Sequence, residues 1–135
     1  MTISRRLRPA LLLVLLTAAS CRVGGWNDEQ VAAARGGTVE LELADDDIRG
    51  ELLAADDEAV LILVGASEIL GARWDDLERF RVRDRPVDDV RDGTIPGPAH
   101  LREIQLASRY PFGLPDDQLA ILLEGVGQDA VREVR

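Results

Sequence analysis

Residues 38–64, TVELELADDDIRGELLAADDEAVLILV, decide the fold of this chain. Val39, Leu41 and Leu43 alternate with Glu40 and Glu42, the period-two pattern of a strand with one face buried and one in water. Asp45-Asp46-Asp47 makes a polar turn. Ile48, Gly50, Leu52 and Ala54 then alternate with Arg49 and Glu51, which predicts a second strand facing the same core. Asp56-Asp57-Glu58 makes another turn. Val60 to Val64 is β-branched, apolar and too short for a free-standing helix, so it reads as a central strand.

Working outward, Ser67 to Arg73 gives a fourth strand and Trp74 to Leu77 a single helical turn. Arg79 to Arg83 alternates arginine with Phe80 and Val82, a fifth strand with a basic outer stripe. Residues 84–98 hold three prolines and two glycines without periodicity and read as a loop or linker. Ala99 to Ser108 predicts a short helix with Leu101, Ile104 and Leu106 inward. Arg109 to Pro115 reads as a turn. A second helix follows Pro115, with Asp116 and Asp117 at its positive start, a stripe of Leu119, Leu122 and Leu123, and Gly125 at its end. Val131 and Val134 fit a last helical turn. On the N-terminal side, Asn27 or Asp28 can cap a brief helix through Ala34, which Gly36-Gly37 ends.

The first residues have a different character. Arg5, Arg6 and Arg8 precede the apolar run Leu11 to Leu16, then Thr17-Ala18-Ala19-Ser20 and Cys21. A basic start, an apolar centre and small residues before a cut site make a secretory signal. Ala10 to Ala19 falls short of the ~20 residues that span a bilayer. Ala18-Ala19-Ser20-Cys21 resembles the lipobox of bacterial lipoproteins, although Ala18 stands where leucine is usual. The resemblance implies cleavage before Cys21 and acylation of that residue, with palmitate-like chains holding the protein on the cell envelope. Two acyl chains anchor stably where one does not. With Arg22 after the cysteine, it further implies the periplasmic face of the outer membrane in a diderm cell. The expected organisation is a signal over 1–20, a tether and short helix over 21–37, a barrel over 38–83, a loop over 84–98 and a helical extension over 99–135.

Five short strands with tight polar turns favour a closed sheet, because closure removes exposed edges. The runs Thr38-Val-Glu-Leu-Glu-Leu, Ile48-Arg-Gly-Glu-Leu-Leu and Val60-Leu-Ile-Leu resemble an Sm-like or SH3-like small barrel, with Gly50 at the glycine of a strongly bent second strand. The expected class is therefore α+β: a five-stranded SH3-like or Sm-like barrel with a helical C-terminal extension. The RNA-contacting positions of the Sm family do not carry over. Ala55-Asp56-Asp57-Glu58 stands where a polar loop ending in asparagine is usual, and Ala72-Arg73-Trp74 where Arg-Gly is expected.

Charge narrows the function. The chain contains no lysine. Removing residues 1–20 takes away three arginines and no acid, leaving 13 arginines against 25 acidic residues, a net charge of −12. Such a surface disfavours nucleic-acid phosphates and anionic lipid heads. The Arg79, Arg81 and Arg83 stripe is the counter-argument, answered by pairing with the abundant carboxylates. Cys21 is the single cysteine, so no intrachain disulfide forms.

Candidate chemistry is sparse. His100 is the only histidine and makes no zinc or copper set alone. Ser67 and Ser108 lie in no nucleophile motif. Asp45, Asp47, Gly50 and Asp56 imitate a calcium loop, but Arg49 occupies a ligand position; Asp88, Asp92 and Gly93 imitate one less well. Asp75, Asp76 and Glu78 beside Trp74 suggest a sugar platform or simply a solvated strand end. Tyr110-Pro111-Phe112-Gly113 offers rigid aromatics that either anchor a partner or pin the helical tail to the barrel. Tyr110, Phe112 and Trp74 are thus the candidate partner-binding residues and Cys21 the lipidation site, with no catalytic residue, metal or cofactor expected. The partners expected are the lipid bilayer, through acylated Cys21, and an envelope protein, without nucleic acid. Binding or assembly is the expected role; the rivals are an accessory envelope hydrolase or transglycosylase and an Sm-like ring.

Overall fold

The computed structural model describes residues 35–135. The signal-like segment, Cys21 and the helix expected before Gly36 lie outside the described residues. The strands are β1 (Thr38–Glu42), β2 (Asp47–Ala55), β3 (Ala59–Val64), β4 (Glu68–Arg73), β5 (Arg79–Val82), β6 (Val90–Arg91) and β7 (Arg132–Val134). The helices are a 3-10 turn (Trp74–Asp76), α1 (Pro98–Ala107) and α2 (Asp116–Val126). The described residues form the expected α+β fold, but around one open sheet of seven strands in the order β6-β5-β1-β2-β3-β4-β7, in place of a closed five-stranded barrel: β4 and β5 do not pair with each other. Every pairing is antiparallel except β4 with β7.

The alternation places β1 to β5 where it predicts them. Val39 and Leu41 of β1, Val60 and Ile62 of β3, Leu70 and Ala72 of β4, and Phe80 and Val82 of β5 share one buried face. Trp74 lies edge-on to Phe80 with ring centroids 5.1 Å apart. Leu101, Ile104 and Ala107 bring α1 onto this core. Leu106, expected inward, is 54% exposed, because positions 101, 104 and 107 make one helical stripe and 106 falls off it. Gly50 lets β3 approach: a β-carbon there would lie 2.6 Å from the Leu63 carbonyl oxygen.

The simple alternation of β2 fails at a bulge. Leu52 pairs with Ile62, but Ala54 pairs with Leu61, so Leu53 is an extra residue. A bulge reverses the facing of everything after it. Leu52 and Leu53 are both fully buried, on opposite faces of the sheet. Beyond the bulge Ala55 takes the inward place expected of Ala54. The ladder groups freed here are used elsewhere. Leu52 N–H donates to Gly37 O, while Arg109 N–H and Tyr110 N–H donate to the carbonyls of Leu52 and Leu53. A β-carbon on Gly36 would sit 1.9 Å from Leu52 O, so this glycine is required by the close approach to β2.

Three other segments depart from the sequence reading. Residues 84–98 are structured: Val90 is buried and pairs with Phe80, and Gly93 (φ +68°) donates to Leu77 O. Gly125 lies inside α2, which ends at Gly127 (φ +74°), where Gln128 N–H reaches back to Leu123 O. Arg132–Val134 is a strand parallel to β4 and not a helical turn. Gln128 prepares that pairing. Its side-chain amide accepts from Ile69 N–H at 2.5 Å and donates to Ile69 O at 3.1 Å, copying a backbone rung. As a result β6 covers the edge of β5 and β7 covers the edge of β4.

Candidate functional site

The second face of the sheet carries the site. Leu53 and Ile69 lie fully buried beneath α2, joined by Leu123 and by half-buried Leu61, Leu63, Leu119 and Leu122. Tyr110 packs here as well, so it pins the segment between the helices to the sheet. The cover is incomplete. At the end of the sheet where α2 begins, a cleft of about 290 Å³ opens between β2, β3, β4, β7 and the turn before α2.

Small side chains make this space. Ala54, Ala59 and Gly71 contribute little bulk on this face from three neighbouring strands. The β2 bulge is what turns Ala54 toward this face. Gly71 also admits the strand beside it, since a β-carbon would lie 3.1 Å from a Val131 methyl. Leu61, Leu114, Leu119, Val131 and Val134 supply apolar walls. The charged groups of the lining are Asp56, Arg73, Asp76, Glu133 and Arg135.

Two of these are committed locally. Asp56 Oδ1 accepts from the backbone N–H groups of Glu58 and Ala59 at 2.8 and 2.9 Å, which fixes the β2–β3 turn. Arg73 Nε donates to Asp75 at 3.2 Å, a bond that, with the surrounding carboxylates, holds its guanidinium above its ordinary pKa. Asp76 and Glu133 make no ion pair with another described residue.

The sequence candidates separate. Trp74 is wholly buried and its Nε1 donates to Asp56 O at 2.8 Å, so it presents no surface to a partner. Its apolar ring fills the core and its one donor is satisfied within it. Phe112 is 88% exposed, and the Arg102 guanidinium lies 5.0 Å from its ring centroid. Phe112 therefore does not pin the tail, and it projects from the turn whose Gly113 and Leu114 line the cleft. His100 stands near the start of α1 with Nε2 2.7 Å from Asp88 O. Ser108 is buried and donates to Gln105 O, and Ser67 is exposed. Among the described residues no group of three or more His, Cys, Asp or Glu side chains is placed to hold a metal ion.

The arginine stripe is paired. Arg79 donates to Asp89 at 2.8 Å and lies 3.7 Å from Glu42; Arg81 and Arg91 lie 3.4 and 3.5 Å from the same Asp89 carboxylate. Arg83 lies 3.4 Å from Glu40, which also binds Arg49. A more enclosed pair joins the helical part to the sheet: Arg109 donates to both oxygens of Glu51, at 2.8 and 2.6 Å. Burial pushes the Glu51 carboxyl up, but the Arg109 bonds, the Gly36 N–H and the charges of Arg109 and Arg35 outweigh it and hold it below its ordinary value.

Sequence reasoning misses the cleft. The small residues that open it are scattered over three strands, and only the register brings them together. The fold and site define an α+β protein with a mixed sheet, one closed core and a small apolar cleft on the opposite face. No protein-family model matches the chain, and no curated protein or solved structure matches it either.

Proposed function

We propose that the chain is a lipid-anchored envelope protein whose folded part is a non-catalytic binding module, with the cleft beside β7 as its binding site. The observation that carries this reading is the cleft itself: an apolar recess with polar groups at its edge is the common form of a small-ligand site, and about 290 Å³ lies near the lower end of such sites. The lipobox-like Ala18-Ala19-Ser20-Cys21 supports the anchor. The run β5-β1-β2-β3-β4 supports a small SH3-like or Sm-like barrel to which β6 and β7 have been added. An Sm-like ring finds less support, because the edges of β4 and β5 are occupied within the chain.

An accessory envelope hydrolase is the second reading, favoured by one observation: Asp76 and Glu133 both line the cleft. Its mark is hydrolysis of an envelope polymer that is lost in both Asp76→Asn and Glu133→Gln.

The binding reading is tested with indole, a neutral apolar probe, added to the full chain in nanodiscs. Amide shifts are expected at Ala54, Ala59, Leu61, Gly71 and Val131, and their loss in Ala59→Leu, which fills the cleft. Shifts scattered over the domain, or none, contradict the reading. For the anchor, Cys21→Ser is expected to abolish acylation and to leave the protein uncleaved or free of the membrane fraction; wild-type fractionation and migration contradict it.

A further inference from the structure

We infer that the cleft selects a small organic cation, an apolar body of about one aromatic ring carrying a positive group, an inference that rests on the cleft being a binding site. The size follows from comparison. A dry cavity of about 150 Å³ lined by apolar side chains holds a benzene ring. The cleft, at about 290 Å³, holds one ring and a short chain, with Leu61, Leu114, Leu119 and Val131 as apolar lining and Ala54, Ala59 and Gly71 as its small residues.

The sign of the charge follows from how the arginines are distributed. Residues 1–34 contain four arginines and two acids, so 12 arginines face 23 acidic residues over 35–135, a net of −11. Five of those arginines, at 49, 79, 81, 83 and 91, gather with Glu40, Glu42 and Asp89 at the β6-β5-β1-β2 end of the sheet. The cleft lies at the other end. There Asp56, Asp76 and Glu133 enter the lining, and Arg73 is drawn toward Asp75, with Glu58 and Asp76 close by. Glu133 sits on β7 opposite Gly71, on the same face as Val131, and is an exposed residue of the lining. A cation held between this group and Asp76 gains from both charges and from the field of an acidic domain. An anion of the same shape meets repulsion from both. The two arginines of the lining, Arg73 and Arg135, do not offset its three carboxylates, and Asp75 beside Arg73 adds a fourth.

Three probes of matched shape and different charge test this: 2-phenylethylammonium, 2-phenylethanol and 3-phenylpropionate. Each is titrated calorimetrically into the full chain in nanodiscs of zwitterionic lipid, with empty nanodiscs as blank. The expected order of affinity is ammonium, then alcohol, then carboxylate, with about tenfold or more between the first and last, since like charge placed against like is strongly disfavoured at a partly enclosed site. Asp76→Asn at a half-buried position combined with Glu133→Gln at an exposed one is expected to bring the three affinities together. Ala59→Leu is expected to weaken all three alike. Equal affinities in the wild type, or preference for the carboxylate, overturn the inference and leave the cleft as a site for neutral apolar ligands. Failure of all three to bind overturns the cleft as well.

Discussion

The two faces of the sheet are built differently. The inner face closes a continuous core in which β1 to β6, the 3-10 turn and α1 bury Trp74, Phe80 and thirteen smaller side chains. The outer face, under α2, fully buries only Leu53 and Ile69, holds Leu123 at its margin, and relies on half-buried leucines for the rest. Packing that complete fixes a structure; packing that partial leaves room. The inner face therefore specifies the fold, and the outer face carries the cleft proposed as the binding site.

Substitutions on the two faces should therefore differ in cost. Ile62→Asp on the inner face strands a charge in the core and should cost roughly 4 kcal/mol or more, enough to unfold a small domain. Leu123→Ala, on the outer face and 9% exposed, should cost about 2 kcal/mol, the low end for such truncations, because its site can partly collapse into the space nearby. Denaturant melts measure both. Equal costs would mean that the two faces are packed alike.

The pair between Glu51 and Arg109 ties the segment after α1 to the sheet beside the bulge, and its effect depends on pH. The Glu51 carboxyl lies below the ordinary value of 4.5 in the folded state. A lowered folded-state pKa gives stability that is complete above the unfolded value and is lost as pH falls through the folded one. Melting temperatures of wild type and Glu51→Gln from pH 7 down to pH 3 should show a steeper fall in the wild type below pH 4.5. Parallel curves would remove Glu51 from the acid sensitivity of the domain.

The smallest effect belongs to the arginine stripe. Arg81→Ala breaks one of three contacts to Asp89 in a partly exposed cluster, and such a pair contributes about 0.5 kcal/mol. With the stripe paired and the net charge strongly negative, the domain is expected not to retard single-stranded RNA at moderate salt. A retarded complex lost on Arg79→Ala with Arg81→Ala would return the chain to the RNA-binding Sm-like reading.

Legibility in the sequence follows the same division. β1, β3 and β5 announce themselves because each buries alternate residues on one face, and period two is readable without knowing the neighbours. The Leu119, Leu122, Leu123 stripe is legible for the same reason at helical period. The outer face is not, because it depends on register. Nothing in Leu52-Leu53-Ala54-Ala55 marks a bulge, yet that bulge buries Leu53, turns Ala54 to the cleft and receives Arg109 and Tyr110. Val131 and Val134 match a helix spacing, and only pairing with Leu70 to Ala72 makes their segment a strand. Val90 was hidden by the prolines and glycines around it. Of the site candidates, Tyr110 lies in the packing and Trp74 in the core; Phe112 alone keeps an exposed ring beside the cleft.

Native-state hydrogen exchange on the full chain, with and without 2-phenylethylammonium, tests the division of the two faces most directly. The amides of β1, β2 and β3 should exchange slowest, those of α2 and β7 faster, and the probe should add protection only at β7, the Tyr110–Leu114 turn and the start of α2. Uniform protection over α2, β7 and the central strands, unchanged by the probe, would contradict the account.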